Sequence, residues 1–338
     1  MSIKYKLSLN SELKRNKLSK SNDLIKRDDY ISFIKNNLDL IQCDKNELIK
    51  AYDLKHTTYV SQKFKFQFYY YNSIANNNKE QQAFENLLLY FTNESTTKKI
   101  IKKLNHGIIS DNEIINDIRN NKAEKTKCTC NKWEYVFQNL ANITLDLFNI
   151  KHISKVNLKY LDIGCGNSEK TLLFGKNLKL GHYNIYGTDI PKWGPYEQKE
   201  HKVQFKYIKN NKLDYPNNTF DIITAIFTLH HVESLDNFLK EIWRILKPNC
   251  YLIIIEHDAY DDFDKIIFGL EHKIYSLLYN NKNIIDSIDY MNTLNRFEWN
   301  YLLHKNKFKY IYDNILFMKT DRDIRYDKPF YAFYKKII

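Results

Sequence analysis

The stretch LDIGCGNSEKT, residues 161–171, decides how this chain is read. The protein has only 8 glycines in 338 residues, yet Gly164 and Gly166 stand one residue apart, with Gly175, Gly181, Gly187 and Gly194 close behind. Glycine used so sparingly marks backbone that must take φ > 0 or must let a ligand approach closely. The residues around the pair read as a strand over Tyr160–Ile163, a turn over Gly164–Asn167 and a helix from about Ser168, whose hydroxyl is a candidate N-cap. In a doubly wound sheet this first strand–turn–helix anchors the ligand, which sits outside the carboxyl ends of the strands.

Working outward, NIYGTDI (184–190), FDIITAIF (220–227) and CYLIIIE (250–256) are short apolar runs separated by helical stretches such as SLDNFLKEIWRIL (234–246). Buried strands alternating with helices imply βαβ units and a parallel sheet. The C-terminus breaks the alternation: FEWNYLLHKNK (297–307) has helical spacing, and FKYIYDNILFMK (308–319) and PFYAFYKKI (329–337) read as two successive strands. Upstream, KRDDYISFIKNNLDLIQ (26–42), KEQQAFENLLLYF (79–91) and TTKKIIKKLNHG (96–107) place apolar residues three to four apart, and all 5 prolines lie at 191 or later. NKWEYVFQNLANITLDLFNI (131–150) reads as an amphipathic helix leading into the glycine region. The organisation expected is a basic, flexible tail over 1–27, a helical region over 28–130 and an α/β domain over 131–338.

Aromatic content of 15% and hydrophobic content of 43% argue for a folded globule. No apolar run reaches the roughly 18 residues of a membrane span, the N-terminus lacks a signal-peptide core, and 5 scattered cysteines point to a reducing compartment, so a soluble cytoplasmic protein with no membrane partner is expected. The net charge of +12 is spread over both halves and is densest in KRNKLSKSNDLIKR (14–27). That run is either a solvated tail or a polyanion footprint, RNA above all. KFKFQFYYY (63–71) interleaves lysine with aromatic rings and is either a strand or an exposed aromatic patch.

The strand NIYGTDI ends in Asp189, 25 residues after Gly164. An acid at this distance past the glycines is placed to accept hydrogen bonds from ribose hydroxyls. With LDIGCG and then LDYPNNTFDIITAIFTLHHVESLDNFLKEIWRILKP (213–248), the chain resembles class I S-adenosylmethionine-dependent methyltransferases, in particular the type-11-like subgroup. The similarity covers roughly 155–260, and the paired C-terminal strands are similar to that fold's closing hairpin. Residues 256–279 and the segments after them are similar to methyltransferases of large cytoplasmic DNA viruses, which would place the protein in host cytoplasm. The resemblance implies a Rossmann-like, mostly parallel seven-stranded sheet with a C-terminal antiparallel hairpin, and S-adenosylmethionine as cofactor. It implies that Asp162, Gly164 and Gly166 hold the methionine part and that Asp189 takes the ribose. Two positions depart from the pattern: Ser168 stands at the family's third glycine, and Asn210 stands near the acid that usually faces the adenine amine, so its amide would have to serve.

Candidates for the acceptor side follow the later strands. His230 and His231 come after FDIITAIFTL, and Glu256, His257 and Asp258 end the next strand. A histidine at such an edge can serve as a general base, with Asp258 fixing its tautomer, or it can be structural. In the following helix Ile266, Leu270, Ile274 and Leu277 form one face; Asp264, Phe268, His272, Tyr275 and Tyr279 form nearly the opposite one, suited to lining a cleft or to packing on the N-terminal region. Cys128 and Cys130 with Cys43 and scattered histidines do not make the two paired groups of a structural zinc site, so no metal is expected. The Asn/Asp-Pro-Pro-aromatic run of exocyclic-amine methylation is absent, Cys165 and Cys250 do not sit where a pyrimidine C5 nucleophile belongs, and no Lys-Asp-Lys-Glu tetrad can be assigned. A nicotinamide dehydrogenase is disfavoured because the third GxGxxG position is Glu169. The expected activity is methyl transfer to an oxygen or nitrogen, with RNA as acceptor. The alternatives are a small-molecule acceptor and a catalytically inactive subunit that binds RNA or stimulates a partner.

Overall fold

The computed structural model describes residues 78–106, 109–122, 129–149, 157–190, 203–260, 262–279, 291–316 and 329–337, with a few helical positions between 29 and 36. The basic run 14–27, the aromatic run 63–71, Cys43 and Cys128 lie outside the described residues.

Seven strands form one mixed sheet in the order β3-β2-β1-β4-β5-β7-β6. They are β1 (Tyr160–Ile163), β2 (Ile185–Asp189), β3 (Gln204–Tyr207), β4 (Phe220–Ile226), β5 (Leu246–His257), β6 (Phe308–Ile315) and β7 (Pro329–Lys336). β1 to β5 are mutually parallel, while β7 runs antiparallel to β5 and β6. The strand order reverses between β1 and β4, which is where such sheets open a crevice for ligands. This is the Rossmann-like sheet with a closing hairpin that the sequence implies.

Alternation along the strands sends residues to two cores. Leu161, Ile163, Ile223, Leu252 and Ile254 join one apolar cluster with α6 (Leu235–Ile245) and α8 (Arg296–Lys305). Tyr160, Ile222, Ile226, Ile253 and Ile255 join another with α4 (Thr129–Leu147) and α5 (Glu169–Asn177). On α6, Leu235, Phe238, Leu239, Ile242 and Ile245 are buried, and the polar side holds the segment after β3. There the Arg244 guanidinium donates to the Leu213 and Tyr215 carbonyls at 2.9 and 2.7 Å and to Glu241 Oε2 at 2.9 Å.

Helices α1 (Asn78–Phe91), α2 (Glu94–Asn105) and α3 (Asp111–Asn120) precede the sheet. α3 falls within the stretch expected to be helical, and Ser110 and Glu113 form a capping box at its start. These helices share a core with α7 (Asp262–Tyr279): Phe84, Leu87, Leu88, Ile100, Leu104, Ile114 and Ile118 pack with Ile266, Ile267, Leu270, Ile274 and Leu278. One face of α7 is therefore committed to the N-terminal helices, and Tyr275 joins it through ring contacts with Tyr90 and Phe91. Phe268 and His272 turn the other way, toward the ends of β4 and β5. Among the described residues no helix is long and apolar enough to cross a membrane.

Candidate active site

The turn after β1 has the conformation its glycines suggest, with φ of +73° at Gly164 and +50° at Gly166. The two glycines serve different ends. A Cβ on Gly164 would lie 2.1 Å from Thr228 Oγ1, so this glycine lets the turn close against the segment after β4. A Cβ on Gly166 would meet nothing within 4 Å, so this glycine faces open space. Asp189, at the carboxyl end of β2, borders that space: its Oδ2 accepts from the Gly166 amide at 2.8 Å and its Oδ1 from the Ile190 amide at 2.7 Å. Burial pushes its carboxyl up, while the two amides oppose the shift. Each oxygen retains capacity for a further donor.

Asp162 is placed differently. Its carboxylate is buried in the seam between sheet and helix, accepting from Thr171 Oγ1 at 2.5 Å and Thr224 Oγ1 at 2.6 Å. Burial raises it to about 6, against the two hydroxyls that lower it. It fixes β1 to α5 and β4, which shapes the glycine turn from behind.

Ser168 does not cap α5. It sits in the left-handed region at φ 63°, its side chain makes no cap bond, and its hydroxyl lies 3.7 Å from Cys165 Sγ. Asn167 Oδ1 takes the Glu169 amide at 3.2 Å instead. The left-handed geometry explains why a glycine is usual here, and holding serine in it costs about 1–2 kcal/mol. Asn210 and Asn211, at φ 52° and 56°, form the tight turn after β3 closed by the Lys212 amide on the Lys209 carbonyl at 2.9 Å. Asn210 is exposed, three residues past the strand end that pairs with Asp189.

On the far side of the reversal, four histidines meet. His230 is buried; its Nδ1 lies 2.5 Å from Glu256 Oε2 and its Nε2 lies 3.2 Å from His272 Nε2. Glu256 is itself fixed, its Oε1 accepting from the Thr228 and Leu229 amides at 3.1 and 2.8 Å. Burial pushes Glu256 up to about 7 and holds His230 well below the usual imidazole range. The exposed His231 ring is 4.0 Å from that of His230 and 5.1 Å from that of His272. His257, half-buried at the end of β5, lies between Phe227 and Phe268 with ring centroids at 4.7 and 4.2 Å. Asp258 turns toward α8, accepting from the Arg296 amide at 2.9 Å with the Arg296 guanidinium Nε at 3.7 Å.

A family model described as a methyltransferase domain matches residues 133–312, more than half of the chain. The chain belongs to this methyltransferase domain family. The demethylmenaquinone methyltransferase of Bacteroides fragilis is 30% identical over 113 residues, covering 33% of this chain and 44% of that protein. The ubiquinone/menaquinone biosynthesis C-methyltransferase of Rickettsia bellii is 28% identical over 160 residues, covering 41% and 64%. The chain thus spans about half the length of the curated relatives it matches. Among solved structures, an S-adenosylmethionine-dependent methyltransferase of Methanosarcina mazei aligns at a TM-score of 0.38 and 17% identity, covering 54% of this chain and 93% of that one.

The methyl donor of this class I methyltransferase domain is S-adenosylmethionine, and the residues at the glycine turn fit it: an open face at Gly166 beside a carboxylate with spare acceptor capacity. Three neighbours of the site escaped the sequence reading. Phe227, the residue after β4, has φ 51°, strained for an aromatic residue, and strain of this kind clusters at functional sites. Trp133 of α4 meets the Phe227 ring at 6.2 Å, and Lys170 Nζ lies 4.6 Å over Trp133 and 5.8 Å from Phe227. Burial lowers the Lys170 ammonium against the pull of Asp162. A non-glycine residue in the left-handed region and a cation over a ring leave no pattern in sequence.

Proposed function

We propose that this protein transfers the methyl group of S-adenosylmethionine to an oxygen or nitrogen of its acceptor. One observation carries the reading: the Gly166–Asp189 recess stands at the carboxyl ends of β1 and β2 and the His257 cluster at those of β4 and β5, on the two sides of the strand-order reversal. The cofactor supplies an electrophilic methyl on its sulfonium. Asp189 accepts the ribose hydroxyls, Gly166 gives the ligand room, and the exposed Asn210 amide serves the adenine edge. Gly164 and the buried Asp162 keep the turn in shape, and Ser168 packs beneath it. Trp133 and Phe227 exclude water. His257 takes the proton of the acceptor at a ring nitrogen, and the Glu256–His230 pair positions the ring cluster beside it.

The charge of +12 and the lysine–aromatic run 63–71 favour RNA as acceptor, since basic surfaces with stacking rings hold single strands. The names of the two relatives, a demethylmenaquinone methyltransferase and a ubiquinone/menaquinone biosynthesis C-methyltransferase, favour a second reading in which the acceptor is a small molecule. Incubation with labelled methyl donor and separate RNA and metabolite pools tests both. Label in RNA, bound with log K falling by about 0.7 per phosphate contacted for each decade of salt, supports the first. Label in a metabolite alone replaces it with the second. Cofactor binding with label in neither points to an inactive subunit. His257→Ala is expected to lower turnover about 10²–10⁴-fold with cofactor affinity intact; unchanged turnover would remove His257 as the base.

A further inference from the structure

His230, His231 and His272 bring three ring nitrogens within 4.8 Å of one another at the mouth of the site. The hydrogen bonds fix how two of them point. His272 Nδ1 lies 2.9 Å from the Phe268 carbonyl oxygen, which only accepts, so that nitrogen carries the proton and Nε2 presents its lone pair. His230 Nδ1 is taken up by Glu256 Oε2 at 2.5 Å, so Nε2 is the ring nitrogen turned toward His272. The two Nε2 atoms are 3.2 Å apart. Two ring nitrogens at that distance have either one proton or a metal ion between them.

We propose that the three histidines form a binding site for a divalent ion of the zinc class. The 3.2 Å separation is near the ligand–ligand edge of a tetrahedral centre, about 3.3–3.4 Å for metal–nitrogen bonds of about 2.0–2.1 Å. A proton needs only two of these nitrogens, whereas a metal uses the third, on His231. The outer partners are those of a metal centre: a carboxylate on His230 and a backbone carbonyl on His272 fix tautomer and ring orientation. Glu256 is held in turn by the Thr228 and Leu229 amides. His231 is exposed, which gives the ion an entry path and leaves a fourth position facing the cleft for water or for an acceptor oxygen. A sequence reading looks for cysteine pairs or fixed histidine spacing, and it misses this set because His231 and His272 lie 41 positions apart.

Cobalt(II) titration of the full-length protein, followed by visible absorption, tests the site without recourse to methyl transfer or cofactor binding. One equivalent is expected to give the ligand-field bands of a four- or five-coordinate nitrogen site, displaced by zinc. Thiolate charge-transfer absorption should be absent, which separates this centre from any site at Cys128 and Cys130. His231→Ala, at an exposed position, and His272→Ala should each abolish the bands; if His272→Ala fails to fold, His231→Ala decides. Weak octahedral bands, thiolate absorption, or a spectrum that survives His231→Ala would overturn the assignment and leave a proton shared between His230 and His272. S-adenosylmethionine affinity, measured separately on the same protein, shows whether the donor reading fails independently.

Discussion

Replacing Gly164 by alanine should damage the fold, whereas the same change at Gly166 should damage the recess. At Gly164 the new Cβ would lie 2.1 Å from Thr228 Oγ1, 2.5 Å from Cγ2 and 2.8 Å from Cβ. Rotating Thr228 cannot relieve the last of these. The threonine cannot retreat freely either, because its amide donates to Glu256 at 3.1 Å and its hydroxyl to the Ile226 carbonyl at 3.0 Å. Overpacking of this kind costs about 1–3 kcal/mol, and an alanine held at φ +73° adds about 1–2 kcal/mol, so the expected loss is about 2–5 kcal/mol. Gly166→Ala meets no neighbour within 4 Å and should lose only the conformational part, about 1–2 kcal/mol, while its methyl group projects into the space assigned to the cofactor. Urea unfolding of both variants, with calorimetry of S-adenosylmethionine binding, separates the effects. Thr228→Gly in the Gly164→Ala background should recover the steric part alone, a coupling beyond the roughly 0.5 kcal/mol scatter of independent sites. Equal stability losses at the two glycines, or strict additivity with Thr228→Gly, would refute the reasoning.

Asp162 predicts a pH dependence. Its folded pKa, raised to about 6 from 3.8, means that the native state binds the proton more tightly than the unfolded chain between those values. Stability from this group is therefore full below about pH 4 and lost as pH rises through about 6, a total of about 3 kcal/mol. Asp162→Asn removes the titration, so the stability difference between wild type and variant should change across that window; parallel profiles would contradict the burial argument. For the N-terminal charge, deleting residues 1–27 should flatten the salt dependence of RNA binding and spare cofactor affinity; an unchanged slope would make the charge a matter of solvation.

Much of the fold was legible because glycine is rare. The pair at 164 and 166, with Asp189 closing the next strand, located the first βαβ unit, and unbroken apolar runs located β4 and β5. β3 was not legible: as an edge strand its QFKY sequence is mostly exposed and carries no buried run. Ser168 misled for a related reason, since an N-cap preference presumes extended backbone and this residue is left-handed. The histidine cluster was legible only in pieces. His230 and His231 stood out at a strand end and His272 on a helix stripe, but only the packing of α7 against α1–α3 sets the rotation that brings His272 to His230.

The central claim is that Asp189 and the glycine turn hold S-adenosylmethionine. Isothermal titration of wild type and Asp189→Ala with this cofactor tests it most directly. Binding by the wild type, weakened in the variant by about 1.5–3 kcal/mol as expected for lost hydrogen bonds to a charged group, is the predicted result. Equal affinity in the two proteins would take Asp189 out of the site, and no binding by the wild type near millimolar cofactor would contradict the account.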